Sequence, residues 1–313
     1  TDIKTRAFGD QVTYKAKDHT VVGGFDWRQD KVVNMGGIKL TNTSYFLQDE
    51  WKVAPKWTVT PGVRVDHHSA FGTHTSPSIS VGYDVNAKTN VYAAYKEYFL
   101  APTPYQLFDG TYGNRNLKPE TGHEWSVGVH HKFGKTWNSN LSFFSRSTKD
   151  KIGWATNPAT GTVQYQNFDT EKAHGINADV RKQLTKHLSA RLGYTYTHID
   201  ATPTRKANRD GYVPKHAVNA GLDYNDAKWD AHLDIRGVID RPGPAANIFP
   251  RTTYWITDIS ANYRVRENVT VFGRVNNLFD TYYAEQSNVR WGNAGDWWPG
   301  QGRNFRLGVE VTI

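Results

Sequence analysis

The chain of 313 residues contains no cysteine and a single methionine. The lack of cysteine excludes disulfide bonds, thiolate nucleophiles and cysteine-ligated metal centres together. Hydrophobic residues make up only 38% of the chain. No run approaches the roughly 20 consecutive apolar residues that a membrane-spanning helix requires. The sequence starts at Thr1 without a signal peptide, as a mature or truncated product would.

Aromatic residues and glycine are abundant, with 11 Trp, 17 Tyr, 14 Phe and 27 Gly. A polar average with many aromatic residues is typical of transmembrane β-barrels, because half of each strand faces water. Soluble propellers and sandwiches share this profile, so composition leaves these classes open. The formal net charge of +8 suits an anionic ligand or the phosphates of lipopolysaccharide. No compact basic stripe or helical motif favours nucleic acid.

The C-terminal residues alternate strictly between apolar and polar. The apolar row is Phe305, Leu307, Val309, Val311 and Ile313. A soluble protein that ended on such a row would expose an apolar edge strand that is prone to aggregation. A strand with lipid on one face and a wet lumen on the other has no such problem, so the pattern favours a barrel strand.

The alternation recurs in about fifteen predicted strands, near residues 5–16, 19–30, 42–54, 57–67, 76–84, 89–98, 121–133, 136–147, 162–182, 187–199, 214–224, 227–239, 251–264, 267–279 and 302–313. Short turns alternate with long loops, which is the arrangement of outer-membrane barrels with their long loops outside the cell. No repeated blade motif supports a propeller, and no long helix is expected. The predicted fold is therefore an all-β, transmembrane, antiparallel β-barrel.

The order of turns and loops also predicts an orientation. The last strand follows a long loop, so it should run inward and place Ile313 on the periplasmic rim. Counting back through the connections places Thr1 on the extracellular side. Single-chain bacterial barrels have an even strand number with both ends in the periplasm. An odd count that starts outside therefore predicts that this chain is not a whole barrel.

Several short segments carry a family resemblance when they are taken in order. They are Tyr45–Trp51, Gly62–Asp66, Phe99–Pro102 with Gln106–Phe108, Asn114–Glu120, Val275–Asp280 with Tyr282 and Tyr283, and Pro299–Arg303. Together they resemble TonB-dependent outer-membrane receptors over residues 20 to 313, approximately. Arg115 departs from the pattern, because the family usually has proline there.

This resemblance implies a plug domain followed by a 22-stranded barrel. Residues 1–313 would then form the C-terminal two-thirds of the barrel in the bacterial outer membrane. The plug, the segment that contacts TonB and about seven strands would be absent from this chain. We therefore expect a second polypeptide that carries the plug and the first strands, and that binds TonB.

No catalytic or metal-binding constellation is predicted. The neighbouring pairs His67–His68 and His130–His131 lie on strands, where adjacent side chains point to opposite faces and cannot readily chelate one ion. No segment resembles a nucleophile elbow. The chain is accordingly predicted to be neither an enzyme nor a cofactor-binding protein.

Binding is the favoured function, and the resemblance implies that the long loops and upper lumen hold the ligand. The predicted ligand-binding residues are Tyr105, Phe108, Tyr112, Arg115, Arg241, Arg290, Trp291, Trp297 and Trp298. Guanidinium and indole groups suit a flat, anionic, aromatic ferric complex. Each aromatic residue could instead belong to the interfacial girdle, and the arginines could bind lipopolysaccharide.

The absence of one histidine narrows the predicted class of ligand. Haem receptors of the family place a histidine between the segments that match Phe99–Pro102 and Asn114–Glu120, and none occurs here. A ferric siderophore, taken up with energy from TonB, is therefore the prediction. A cobalamin receptor, a passive porin, and an outer-membrane enzyme or adhesin remain as alternatives.

Overall fold

In the computed structural model the protein is almost entirely β-strand. The structure describes residues 2–34, 36–156, 161–201, 213–241, 252–290 and 293–312. For 154–156, 169, 201, 252, 285–290 and 293–298 it describes the backbone alone. Over these ranges no helix has the length and apolar character needed to cross a membrane.

The strands are β1 (Ile3–Lys15), β2 (His19–Val32), β3 (Ile38–Ala54), β4 (Trp57–His68), β5 (Gly72–Asn86), β6 (Thr89–Leu100), β7 (Glu120–Phe133), β8 (Trp137–Thr156), β9 (Val163–Gln183), β10 (Leu188–Ala201), β11 (His216–Asn225), β12 (Trp229–Arg241), β13 (Thr252–Arg266), β14 (Val269–Asn276), β15 (Ala284–Arg290), β16 (Asn293–Pro299) and β17 (Asn304–Val311). One short helix, α1 (Pro104–Phe108), precedes β7. The 15-stranded sheet runs in order from β1 to β14 and then β17, while β15 and β16 form a separate hairpin. The prediction of about fifteen sheet strands is confirmed.

The chain divides into two compact units. The first comprises Thr1–Gly128, Phe144–His174 and Ile199–Asn208, and the second comprises Val129–Phe143, Gly175–His198 and Arg209–Ile313. Strands β1 to β6 and α1 therefore belong to the first unit, and β11 to β17 belong to the second. Strands β7 to β10 contribute residues to both.

The sheet of the second unit has one apolar and one polar face. In β17 the side chains of Phe305, Leu307, Val309 and Val311 are 58–82% exposed. Their register partners in β14 continue the apolar row, because Val275 pairs with Phe305 and Val271 with Val309. An exposed apolar surface of this extent is rare on soluble monomers, whereas it is required where strands meet lipid.

The first unit repeats this division of faces. On the apolar face, the ring of Phe25 lies 5.6 Å from that of Phe8 and 6.4 Å from that of Tyr45. On the polar face, Arg64 pairs with Asp26 at 2.9 Å and with Asp66 at 3.2 Å. The charges on that face are therefore matched within the sheet, as a water-filled interior allows.

Several strands are longer than the alternation predicts. Long loops were expected at 31–41, 68–75 and 148–161, but the connections shrink to 33–37 and 69–71, and β8 continues to Thr156. At about 3.3 Å per residue, the 20 residues of β8 and the 21 of β9 exceed the apolar band of about 25 Å. Outside lipid the outward residues need not be apolar, so the pattern fades although backbone pairing continues.

Gly221 of β11 lies on the polar face and leaves room for a long side chain. Arg191 of β10 extends over it and reaches β12 on the same face. A Cβ at Gly221 would lie 2.4–2.7 Å from the guanidinium of Arg191. Arg191 donates from Nε to Asp223 at 3.3 Å and bonds to Asp234 on β12 through Nη2. The ring of His232 completes the network by bonding to Asp223 at 2.8 Å. A side chain at Gly221 would displace this network.

The segment that ends β14 is held by one asparagine. Asn277 has a φ of 50°, in the left-handed region that asparagine tolerates better than most residues. Its side chain is 2% exposed, and Nδ2 donates to the carbonyls of Thr281 at 2.9 Å and Gln301 at 3.1 Å. Its Oδ1 accepts from the Thr281 N–H at 2.8 Å, and its own N–H donates to Asp258 at 2.7 Å. The residue thus joins β13 to both ends of the last long connection.

We expect Asn277→Ala to lower the free energy of unfolding by about 2–4 kcal/mol, because three side-chain hydrogen bonds are lost and alanine is strained at positive φ. Equilibrium urea unfolding in detergent measures this. Asn277→Gly is the control, since it loses the same bonds without the strain and should be about 1 kcal/mol more stable than the alanine variant. An alanine variant as stable as the unchanged protein would contradict the assigned role.

Candidate functional site

The connection between β6 and β7, residues 101–119, carries four of the predicted ligand-binding residues and is described throughout. It begins with α1, whose start is set by a capping box. Gln106 N–H donates to Thr103 Oγ1 at 3.2 Å, and Thr103 N–H donates to Gln106 Oε1 at 2.8 Å. Pro104 occupies the first helical position, where its missing N–H costs nothing. The short helix therefore follows from local sequence.

A small hydrophobic core holds this connection against the sheet. Leu107 and Leu117 pack with Leu40 of β3 and Ile152 of β8, and all four are at most 8% exposed. Phe71, Phe108 and Tyr165 pack against this cluster. Leu40 lies an even number of residues from Ser44, so both share the polar face of β3. The connection therefore folds over the polar face of the first unit.

A buried carboxylate fixes the end of the connection. Glu120 is 5% exposed and accepts from Lys151 Nζ at 2.9 Å and from the Ile152 N–H at 2.8 Å. A buried charge is tolerated only with such partners. The glutamate that closes the Asn114–Glu120 segment thus joins β7 to β8.

Two amide side chains fasten the same segment to β9. Asn167 donates from Nδ2 to the carbonyls of Lys118 at 2.9 Å and Asp150 at 2.7 Å, and its Oδ1 accepts from the Lys118 N–H at 2.8 Å. Asn114 donates from Nδ2 to the Tyr165 carbonyl at 2.9 Å. The sequence resemblance identified the segment but not these roles. No local pattern distinguishes Asn167 from other polar strand residues.

The four predicted residues of this connection differ in exposure. Arg115 is exposed, with its guanidinium carbon 5.5 Å from the ring centroid of Phe108. Tyr105 is 37% exposed, and its ring meets that of Tyr165 edge-on at 6.1 Å. Tyr112 is half-buried, and its carbonyl accepts from the Tyr165 N–H at 3.0 Å. Tyr105 and Arg115 therefore present polar groups to solvent, while Phe108 and Tyr112 support them.

The surroundings of Tyr105 move the pKa of its phenol further above neutral pH. Burial, and then the nearby Asp109 carboxylate and Tyr112, raise the pKa of Tyr105 above its ordinary value. The hydroxyl can therefore donate a hydrogen bond at neutral pH. With the Arg115 cation and the Phe108 ring, the connection offers a donor, a positive charge and an aromatic face.

Arg241 lies in the second unit, and the structure places it at the end of β12 rather than in a loop. Val238 pairs with Tyr254 but Arg241 with Thr252, so β12 contains a bulge at this point. Arg241 is 6% exposed, its Nη2 donates to the Ala284 carbonyl at 2.7 Å, and its guanidinium carbon lies 5.7 Å from the Tyr254 ring. Arg241 holds the start of β15 in place. Its side chain is buried, whereas the sequence predicted a ligand-binding residue in a loop.

The remaining predicted residues belong to the last long connection, expected as a loop over 280–301. The structure forms the hairpin β15–β16 there, with Arg290 paired to Asn293, Ser287 to Trp297 and Gln286 to Trp298. Trp291 lies outside the described residues. The structure thus groups Tyr105, Phe108, Tyr112 and Arg115 in one connection of the first unit. Arg241, Arg290, Trp297 and Trp298 belong to the second.

In the described ranges, no group of three or more histidine, aspartate or glutamate side chains is arranged to hold a metal ion.

A sheet with one lipid-facing and one polar face defines an outer-membrane β-barrel protein. The family described as "TonB dependent receptor-like, beta-barrel" matches residues 2–278. The chain therefore belongs to the TonB-dependent receptor family, and its place is the bacterial outer membrane. The family consists of transport receptors rather than enzymes.

Similar proteins agree with this family. The chain is 28% identical to the iron-regulated outer membrane virulence protein of Vibrio cholerae, over 92% of this chain and 47% of the relative. It is 26% identical to the vitamin B12 transporter BtuB of Photobacterium profundum, over 83% and 43%. The siderophore receptor PirA of Pseudomonas aeruginosa has a similar fold, with a TM-score of 0.72, 21% identity, and coverage of 99% and 55%. The chain spans about half the length of these relatives.

We expect Leu107→Ala to loosen the connection over 101–119. The cavity should cost about 2–4 kcal/mol, enough to accelerate hydrogen exchange of the loop amides by at least about 30-fold. Mass spectrometry of exchanged peptides measures this.

Leu100→Ala is the matched control, because the same truncation at a 56% exposed position should leave loop exchange unchanged. Equal exchange in both variants would show that the leucine core does not hold the loop.

Proposed function

We propose that the protein forms the C-terminal two-thirds of the barrel of an outer-membrane active-transport receptor that binds and takes up a ferric siderophore. Family membership over residues 2–278 carries this proposal. It is supported by relatives named as an iron-regulated virulence protein, a vitamin B12 transporter and a siderophore receptor. In this proposal the rim of the long connections faces the cell exterior, and uptake is driven by TonB.

The described site favours an iron complex over cobalamin. Arg115 is an exposed cation next to the Phe108 ring, and Tyr105 adds a protonated phenol. Ferric complexes of aromatic chelators combine negative charge with flat ring faces, to which a guanidinium and an aromatic ring are both complementary. Cobalamin is the alternative, because one relative transports vitamin B12.

The same proposal covers the strands that would pair with β1 and β17, the two edge strands of the sheet. Over the described residues, β1 pairs only with β2 and β17 only with β14. Backbone groups left unpaired in hydrocarbon cost several kcal/mol each. We assign the completing strands, the plug and the TonB contact to a second polypeptide, and lipopolysaccharide to the outer rim. Intact-mass analysis tests this, since one covalent chain much larger than 35.5 kDa contradicts it.

Arg115→Gln and Tyr105→Ala should each weaken binding of a ferric siderophore by about 2- to 30-fold. This corresponds to the loss of a contact of about 0.5–2 kcal/mol. Quenching of intrinsic fluorescence, titrated with a panel of ferric siderophores and with cyanocobalamin, measures the affinities.

Thr111→Ala is the control, because the described bond of this exposed residue uses its backbone N–H. Binding of cyanocobalamin alone would favour the alternative receptor. A large, steady single-channel conductance of the complex without any ligand bound would favour a passive channel.

A further inference from the structure

Two arginines face each other at the last strand pair of the sheet. Arg274 of β14 and Arg306 of β17 are register partners, so their Cα atoms are about 4.5–5.5 Å apart. Both side chains are exposed and lie on the polar face, because Val275 and Phe305 beside them belong to the lipid-facing row. Like charges directly opposite one another on a sheet are destabilising.

No carboxylate of the described residues neutralises this pair. Neither guanidinium makes a side-chain hydrogen bond or an ion pair within those ranges. Asp258, the acid on β13, accepts from the N–H of Asn277 and forms no ion pair with either arginine. Within the described residues the two guanidinium groups therefore lie on the polar face without an ion pair.

The acid on β17 itself is out of reach. Glu310 lies four residues from Arg306, about 13 Å along the strand. The ring of Phe272 fills the space between them, because it lies within 2.4 Å of where a Cβ of Gly308 would be. Glu310 cannot close this gap.

The free edge of β17 is where a compensating group can come from. Within the described sheet β17 bonds only to β14, and its apolar row is 58–82% exposed. We propose that an antiparallel strand pairs with this edge and places an aspartate or glutamate on the polar face opposite Arg306. The inference rests on the proposed completion of the barrel, and adds the chemistry of the completing strand.

The first strand of this chain does not meet that requirement. The lipid-facing residues of β1 are Phe8, Val12 and Tyr14, so its polar face holds the odd-numbered residues. These odd-numbered residues are Ile3, Thr5, Ala7, Gly9, Gln11, Thr13 and Lys15, without a carboxylate. β1 therefore does not supply the proposed carboxylate, and we assign the partner strand to a segment outside these 313 residues. The chain covers only about half the length of its relatives, which leaves room for such a segment.

Removing the charge of Arg306 should shift the thermal unfolding midpoint in opposite directions, depending on whether a carboxylate lies opposite this arginine. With an acid opposite, Arg306→Gln removes an ion pair and lowers the thermal unfolding midpoint of the receptor purified with all its accompanying polypeptides. Without one, the same change relieves repulsion and raises the midpoint, which overturns the proposal. Arg266→Gln is the matched control, because this exposed arginine pairs in register with Val269 and should leave the midpoint nearly unchanged.

Cross-linking identifies the occupant. Arg306→Lys keeps the charge and supplies an amine that a carbodiimide couples to a carboxylate in contact. We expect an amide to an aspartate or glutamate in a segment outside this chain that alternates apolar and polar residues. A cross-link to Asp258 or Glu310, to a segment without alternation, or to none, overturns the proposal. Neither readout needs a ligand, so failure of the siderophore assignment would leave both intact.

Discussion

The need to satisfy every backbone hydrogen bond away from water determines this structure. A strand in lipid can pair its N–H and C=O groups only with other strands, so the sheet grows by adjacent antiparallel pairs. Each strand then shows one row of side chains to hydrocarbon and one to water. The exposed row from Phe305 to Val311, and Arg306 on the opposite face between its members, are two results of the same constraint.

The strands could be predicted where lipid imposes that pattern. Trp229, Leu233 and Ile235 alternate with Asp230, His232 and Asp234, and the structure places these two sets on opposite faces of β12. The outer end of β8 was missed, because outside the apolar band its outward residues carry no hydrophobic signal, whereas β9 was predicted at nearly its full length. The hairpin β15–β16 was missed for the same reason, since Glu285 to Asn288 shows no alternation.

The surroundings of the candidate residues could be predicted only in part, and their role in ligand binding stays a prediction. Tyr105 and Arg115 were chosen for their chemistry in a long connection, and both are exposed there. Arg241 was chosen on the same grounds, yet a bulge in β12 brings it to a buried position against Tyr254. The bulge follows Val238 and β12 ends at Arg241, so too few residues remain for a shifted alternation to be recognised in the sequence. The contact of Asn167 with Lys118 spans 49 residues, and such distant pairings are not encoded locally.

The fastening of residues 101–119 has a thermodynamic consequence. Contacts of Leu107, Leu117 and Glu120 within the chain hold the connection, so most of its conformational entropy is lost when the protein folds. A molecule that docks on Tyr105 and Arg115 does not have to order this part of the chain, and more of its contact energy remains as affinity. Among ligands of similar charge, encounter rates at such a preformed surface differ little. Discrimination between them therefore falls on residence time, which is set by how well each one fits.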